Sequence, residues 1–415
     1  MPHIREIQSS VNNPVGELGC FAITHTPYEG ALFPDTLKLS DIEQGGRTGD
    51  CYFLSVLCAI LALPDGEKLI RQQMIEKDGQ IHVLFFRHEQ PEWVVIEKSL
   101  PKSTGLLSSG PVWVRFLEKA YVVLNGGNYN VLSSGDCRKV LRAFLGDTAM
   151  AIATSLQSRK PLAELYQSAI EGCSGKDVYA LIFLLRPYDA KTSIDNINEH
   201  VFNGNKTQLK AWLDWIARNR DKWQQLLNKQ PILYEETLID FLEKEKRTSD
   251  NPPVEAINAV KTWLVNRRIL PCKAHYSQDE LGLYDELKQA LENQNPVVAS
   301  PGSNPPSGII MEHTYAVLSV RESQLSHRKF VTLRNPYAEN RSWLFKLFLA
   351  GGRQAREWQD PKTGTIELRI DKTQQSTFEM ELHDFAHAFL HIDKGQSLKT
   401  AYELQATNAL MAYGI

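Results

Sequence analysis

The chain has 415 residues, of which 42% are apolar and 23% charged, with a formal net charge of −3. That length holds roughly two or three domains, the composition excludes a disordered chain, and the near-neutral charge excludes the basic footprint of a nucleic-acid binder. Six cysteines, Cys20, Cys51, Cys58, Cys137, Cys173 and Cys272, contain no CxxC pair, which excludes a zinc ribbon or disulfide framework and fits a reducing compartment.

Met1-Pro2-His3-Ile4-Arg5 lacks the apolar centre of a signal peptide. The apolar run near Val56–Leu63 is too short to span a bilayer. The expected address is the cytoplasm, or export without a Sec-type signal, with no membrane span. The most informative string follows: Gln44-Gly45-Gly46-Arg47-Thr48-Gly49-Asp50 introduces Cys51. Residues 52–63 are apolar on every side and predict a buried helix. A thiol at a helix N-terminus leans towards thiolate, the form that attacks carbonyls. A lone cysteine there would read as a core residue.

Ile81–His88 and Glu92–Leu100 predict a β-hairpin broken at Gln90-Pro91. Trp113–Leu124 predicts an amphipathic helix closed by Asn125-Gly126-Gly127. From 155 to 292 apolar residues recur at helical spacing, as in Leu209, Trp212, Leu213 and Ile216. Asp250-Asn251-Pro252 reads as an N-cap with proline in the first turn. Trp212, Trp215 and Trp223 read as helix packing. After Asn295 the pattern turns to β: Val297–Ser300, Thr314–Val320, Phe330–Arg334 and Thr365–Asp371. Ser300–Gly308 is a loop by composition, expected to lie over a cleft and gate it. Leu382–Leu390 is a short helix or a turn into a last strand, and Ser397–Ile415 a helix or tail.

A thiol nucleophile needs a base, an orienter for that base and oxyanion donors. His313 starts one predicted strand and Asn335 ends another. Paired strands would set both at one end of a sheet, with Asn335 fixing the imidazole tautomer. Cys-His-Asn is a known form of the triad. His383, His387 and His391 recur every four residues and would share a helix face. Their neighbours Phe385, Ala386, Phe389 and Leu390 are core-like and no fourth ligand is evident, so no metal site is expected there.

These segments resemble the calpain family of papain-like cysteine proteases. Asp41-Ile42-Glu43-Gln44-Gly45 with Gly49-Asp50-Cys51 is similar to its nucleophile motif. Trp93-Val94-Val95-Ile96, Leu100-Pro101, Leu117-Glu118-Lys119-Ala120-Tyr121, Leu124-Asn125-Gly126-Gly127 and Leu132-Ser133-Ser134-Gly135 are similar to the rest of its first lobe. His313-Thr314-Tyr315-Ala316-Val317, Leu333-Arg334-Asn335-Pro336-Tyr337 and Phe378–Phe385 are similar to its second. Matches fall on 41–147 and 285–393.

The resemblance implies an α+β, two-lobed papain-like core. Residues 1–150 form a helical lobe with the nucleophile, and 285–395 a β-rich lobe with His and Asn. Between them 151–284 is a helical insertion, and 396–415 a C-terminal helix or tail. It implies a cysteine endopeptidase cutting polypeptides through a thioester. Cys51 is then the nucleophile, His313 the acid–base and Asn335 the orienter. Gln44 and the Cys51 N–H form the oxyanion hole, with Gly49, Tyr52 and Tyr337 lining the substrate. An acyl transferase or deamidase acting on glutamine side chains, and a silent binding protein using the insertion for a partner, stay open. One residue more than the family's usual spacing separates Gln44 from Cys51, and Tyr52 and Tyr337 stand where it usually has tryptophan. Asp41 matches a calcium ligand of the family. Cys137, Arg138, Lys139 and Arg341 stand where acidic ligands are expected, so no cofactor, calcium included, is expected.

Overall fold

The computed structural model describes residues 5–7, 14, 17–18, 21–45, 49–102, 107, 110–146, 149–152, 198, 201–229, 235–267, 276, 278–301, 305, 308–337, 352–359, 361 and 366–413. Among them, helix and sheet combine into the expected α+β architecture.

Helix α1 (Cys51–Leu61) is buried at every residue from Cys51 to Ile60. This explains its apolar circumference: it lies between two lobes. One side packs in the first-lobe core with Leu69, Phe85, Phe116 and Phe144. The other meets the second lobe, where the Ser55 hydroxyl donates to the Thr314 carbonyl at 2.6 Å. Arg334 reaches the Cys58 thiol, whose burial pushes its pKa up to about 11.

The first lobe begins with β1 (Arg5–Ile7), β2 (Glu17–Leu18), β3 (Phe21–Ala22) and β4 (His25–Pro27). After α1 come α2 (Gly66–Gln73), β5 (Met74–Lys77), β6 (Gln80–Arg87), β7 (Gln90–Glu97) and β8 (Ser99–Pro101). β5, β6 and β7 form an antiparallel sheet, β1 adds to β7 in parallel, and β4 pairs with β8. The hairpin turn is not at Gln90-Pro91. It is His88-Glu89, with φ of 50° and 65°, the two positive values a tight hairpin needs. Pro91 faces Phe86 one pair beyond the closing Arg87–Gln90 pair. Ladder bonds alternate along an antiparallel pair, so a missing N–H is tolerated there.

α3 (Val112–Leu124) is buried at nearly every position and not amphipathic. Its charge Lys119 is enclosed with it, donating Nζ bonds to the Glu97 and Ser99 carbonyls and the Ser99 hydroxyl at 2.8–2.9 Å. Gly127 N–H bonds to Val122 and Gly126 N–H to Val123. Both glycines have positive φ, the pattern of a Schellman stop. α4 (Cys137–Leu145) completes the lobe.

The second lobe is a six-stranded sheet. Its strands are β9 (Met150–Ala151), β10 (Val297–Pro301), β11 (Tyr315–Glu322), β12 (Lys329–Arg334), β15 (Thr377–Glu381) and β16 (Phe389–Lys394), in the order β15-β12-β11-β10-β16-β9. β13 (Gly352–Gln359) and β14 (Ile366–Thr373) form a separate hairpin. Ser300 and Pro301 belong to β10, against the reading of a loop from Ser300. Pairing with β16 extends the strand that far. Residues 302–304 and 306–307 of the expected gate lie outside the described residues.

Among the described residues, the stretch between the lobes in sequence holds α5 (Lys206–Arg218), α6 (Arg220–Lys229), α7 (Glu235–Thr248) and α8 (Val254–Arg267). Leu209, Trp212, Trp215, Ile216, Trp223, Leu242 and Ile257 form a core of their own. The three tryptophan rings pack with centroids 5.5–6.1 Å apart. Helix α8 starts at Val254 and not at Pro252. Asn251 takes φ 55°, so the chain turns there before it enters the helix. α9 (Gln278–Glu292) packs on the second sheet through Leu283 and Leu287.

α10 (Leu382–Ala388) ends before β16, so His391 stands on a strand and the three histidines share no helix face. The His383 Nδ1 pairs instead with buried Glu280 at 2.5 Å. The chain then returns to the first lobe as α11 (Leu398–Tyr413). Leu398 and Ala401 join the first-lobe core, Gln405 Nε2 donates to the Phe144 carbonyl at 3.2 Å, and Lys68 sits over the Tyr402 ring.

Candidate active site

Cys51 is the first residue of α1 and is 8% exposed. Phe53 and Leu54 N–H groups close on the Asp50 carbonyl. The Cys51 N–H occupies a first-turn position, where no carbonyl of the helix can reach it. The thiol donates weakly to the Gly49 carbonyl at 3.9 Å. It also contacts the backbone and side chain of Thr314 and the Tyr52 N–H. The expected lean towards thiolate is reversed: the thiol pKa is pushed up to about 11, chiefly by burial, with the Asp50 charge adding to it. Desolvation outweighs the helix terminus here.

His313 precedes β11 and Asn335 follows β12. The register pairs Ala316 with Arg334, which brings the two side chains to one end of the sheet. His313 Nε2 donates to Asn335 Oδ1 at 2.8 Å. An amide oxygen only accepts, so Nε2 carries the proton and Nδ1 is the basic nitrogen. The Tyr337 N–H donates to the same Oδ1 at 3.0 Å, and Asn335 N–H is tied to the Ser376 carbonyl. The imidazole is stacked on Tyr337 (centroids 4.7 Å, 18°) and meets Tyr315 edge-on at 5.0 Å. Burial between these rings lowers its pKa to about 4, with the Asn335 bond opposing the shift.

Gln44 is 1% exposed. Its N–H donates to the Pro336 carbonyl at 2.8 Å, within a one-residue parallel bridge to Tyr337. The segment leading to Cys51 is thus fastened to the turn that carries Asn335. Gly46, Arg47 and Thr48, between Gln44 and Cys51, lie outside the described residues. Gly49 and Gly135 both sit where a side chain has no room. A Cβ on Gly49 would meet the Ser133 carbonyl oxygen at 1.9 Å, and one on Gly135 the Tyr52 ring at 2.3 Å. Tyr52 is buried and donates its hydroxyl to the Val131 carbonyl at 2.8 Å. It packs under the 132–135 turn instead of presenting an exposed wall.

Three residues in this site escaped sequence reasoning. Thr314 touches the thiol, and its Oγ1 lies 3.1 Å from Ser300 Oγ. Its place beside His313 was a local signal. Asp50 and Glu118 are buried at 0% and 2% exposure, their carboxyls in contact. A pairing between a loop and a distant helix leaves no mark in spacing.

The family model of calpain family cysteine proteases matches residues 22–180 and 249–395. A search of the curated proteins finds no match. The matched stretches include the cysteine loop, the histidine strand and the asparagine turn, and they cover most of the sequence: the chain belongs to the calpain family of cysteine proteases.

Proposed function

We propose that the protein is a cysteine endopeptidase that hydrolyses polypeptides through Cys51, His313 and Asn335. The observation that carries this is the 2.8 Å bond from His313 to Asn335 beside a thiol seated against Thr314, the next residue in the chain. Family membership supports the same reading.

The chemistry follows from the tautomer. The unprotonated Nδ1 of His313 takes the thiol proton as sulfur attacks the scissile carbonyl. The oxyanion falls to the Cys51 N–H and the Gln44 amide. The imidazolium then protonates the leaving amine, and a thioester to Cys51 remains. His313 next takes a proton from water, hydroxide adds to the thioester, and the thiol leaves with the proton. Asn335 holds the ring through both halves. Thiol and imidazole begin neutral, so proton transfer accompanies attack.

Calcium does not enter this reading. After the 132–135 turn, the Cys137 thiol donates to Asp393 at 3.3 Å and Arg138 Nε lies 3.3 Å from the same carboxylate. A calcium shell needs about six to eight oxygens, and an arginine already neutralises this one. Arg341 lies outside the described residues.

The test is hydrolysis of internally quenched peptides by wild type and Cys51→Ala, with trapping of the acyl-enzyme. A peptide-derived thiol trap should label the wild type at Cys51 alone. Amine transfer outpacing hydrolysis would favour a transferase, and an unlabelled, inert wild type would refute the reading.

A further inference from the structure

We propose that Asp50 and Glu118 share one proton between their side chains, and that this pair holds the Gln44 amide in place as positioning residues of the oxyanion site. The inference deepens the peptidase reading and rests on it. Both carboxyls are inaccessible, and they come from different elements, the turn before α1 and the middle of α3. Among the described residues, no donor closes a full-geometry hydrogen bond on either Asp50 oxygen. Burial weighs most on Asp50, and among the described residues the groups acting on it are Glu118, its own backbone amide and the Gln44 side chain, none of them a cation.

Two carboxylates in contact away from water cannot both be ionised. Two carboxylates also only accept, so they hold together only with a proton between them. The result is one negative charge across four oxygens. That charge attracts the Gln44 amide, which lies toward Asp50. The surroundings suit a single charge. Cys51, Tyr52 and Tyr129 face the pair and are all pushed towards their neutral, protonated forms. Arg115 acts on Tyr129 beside it, and His25 Nε2 bonds the Tyr129 hydroxyl at 3.0 Å. Lys119, its pKa lowered to about 7 by burial, is engaged on Glu97 and Ser99.

Losing the shared proton would bury a second charge against the first and push the loop apart. Gln44 would then lose its seat while Cys51 and His313 keep theirs. The expected signature is a fall in kcat at alkaline pH with little change in KM.

The experiment compares wild type, Glu118→Gln, Glu118→Ala, Gln44→Ala and the Glu118→Ala/Gln44→Ala double variant across pH. In Glu118→Gln the amide replaces the shared proton with a permanent donor. Its neutral-pH kcat should stay within about tenfold of wild type, and its alkaline fall should move up or vanish. Glu118→Ala should lose kcat on the order of 10²–10³, the cost of an oxyanion donor. The double variant should be no worse than Gln44→Ala. Equal alkaline falls in wild type and Glu118→Gln, or additive losses in the double variant, would overturn the proposal. Infrared difference spectra supply a readout independent of activity. Wild type should show the carbonyl stretch of a buried, protonated carboxylic acid at neutral pH, and Asp50→Asn should not. A protein with this band but no peptidase activity would refute the peptidase reading and leave the shared proton standing. A peptidase lacking the band would refute the shared proton.

Discussion

The backbone of Gly49 lies against that of Ser133 so closely that a Cβ on Gly49 would meet the Ser133 carbonyl oxygen at 1.9 Å. A backbone carbonyl cannot swing aside as a side chain can. Gly49→Ala should therefore cost about 1–3 kcal/mol, the usual range for overpacking, and displace Cys51. The checks are the chemical denaturation midpoint and kcat/KM. A variant with wild-type values for both would show the two segments are not in contact.

Removing the acceptor in Asn335→Ala frees the His313 ring to turn and to change tautomer. The expected loss in kcat is at least tenfold, and smaller than that of Cys51→Ser or His313→Ala. Those two act as one unit, so their double variant should be little worse than either alone.

His313 has its pKa lowered to about 4 by burial, and Tyr337 supplies one face of that cover. The acid limb of kcat/KM reports the base in the free enzyme, so it should fall only near pH 4. Tyr337→Ala uncovers the ring and should move the limb up, towards the ordinary histidine value of about 6.5. Tyr337→Trp should leave it nearly unmoved. Equal limbs in all three would assign the limb to another group.

The same histidine sets a stability window. Its folded pKa lies below the unfolded one, so the unfolded chain binds more protons between about pH 4 and 6.5. Its contribution is full above 6.5 and shrinks as pH falls towards 4, by an amount on the order of 3 kcal/mol. Cys51 acts at the other end. Its pKa is raised to about 11, so the folded state keeps a proton the unfolded chain gives up, and stability falls as pH rises from about 9. Denaturation midpoints against pH should flatten in the acid window for His313→Gln and in the alkaline one for Cys51→Ser.

Peptidase activity should survive excess chelator, because Arg138 and the Cys137 thiol already occupy Asp393. Steady-state rates with and without chelator check this. A steep dependence on added calcium would mean that other residues bind it.

Cys51 at the head of a buried helix, and His313 and Asn335 at strand ends, were legible because each sits in a short string with a local pattern. Strand ends at His313 and Asn335 were enough to bring those two together. The environment was not legible. The charge state of Cys51 depends on how completely α1 is enclosed, and the enclosing residues, Thr314 among them, come from the other lobe. The Asp50–Glu118 contact depends on tertiary packing alone. At the hairpin, Gln90-Pro91 was a strong breaker by composition, yet two residues with positive φ upstream took the turn. Asn251 likewise spent its left-handed conformation ahead of the helix that Pro252 was expected to open.

The bridge from Gln44 to Tyr337 and the return of α11 to the first-lobe core bear on how the chain is made. Ribosomal synthesis runs from the N-terminus. Cys51 therefore leaves the ribosome long before the Pro336 carbonyl that fastens Gln44, and before Leu398 and Ala401 that finish packing its lobe. The surroundings of Cys51 are therefore complete only once the last segments have been made.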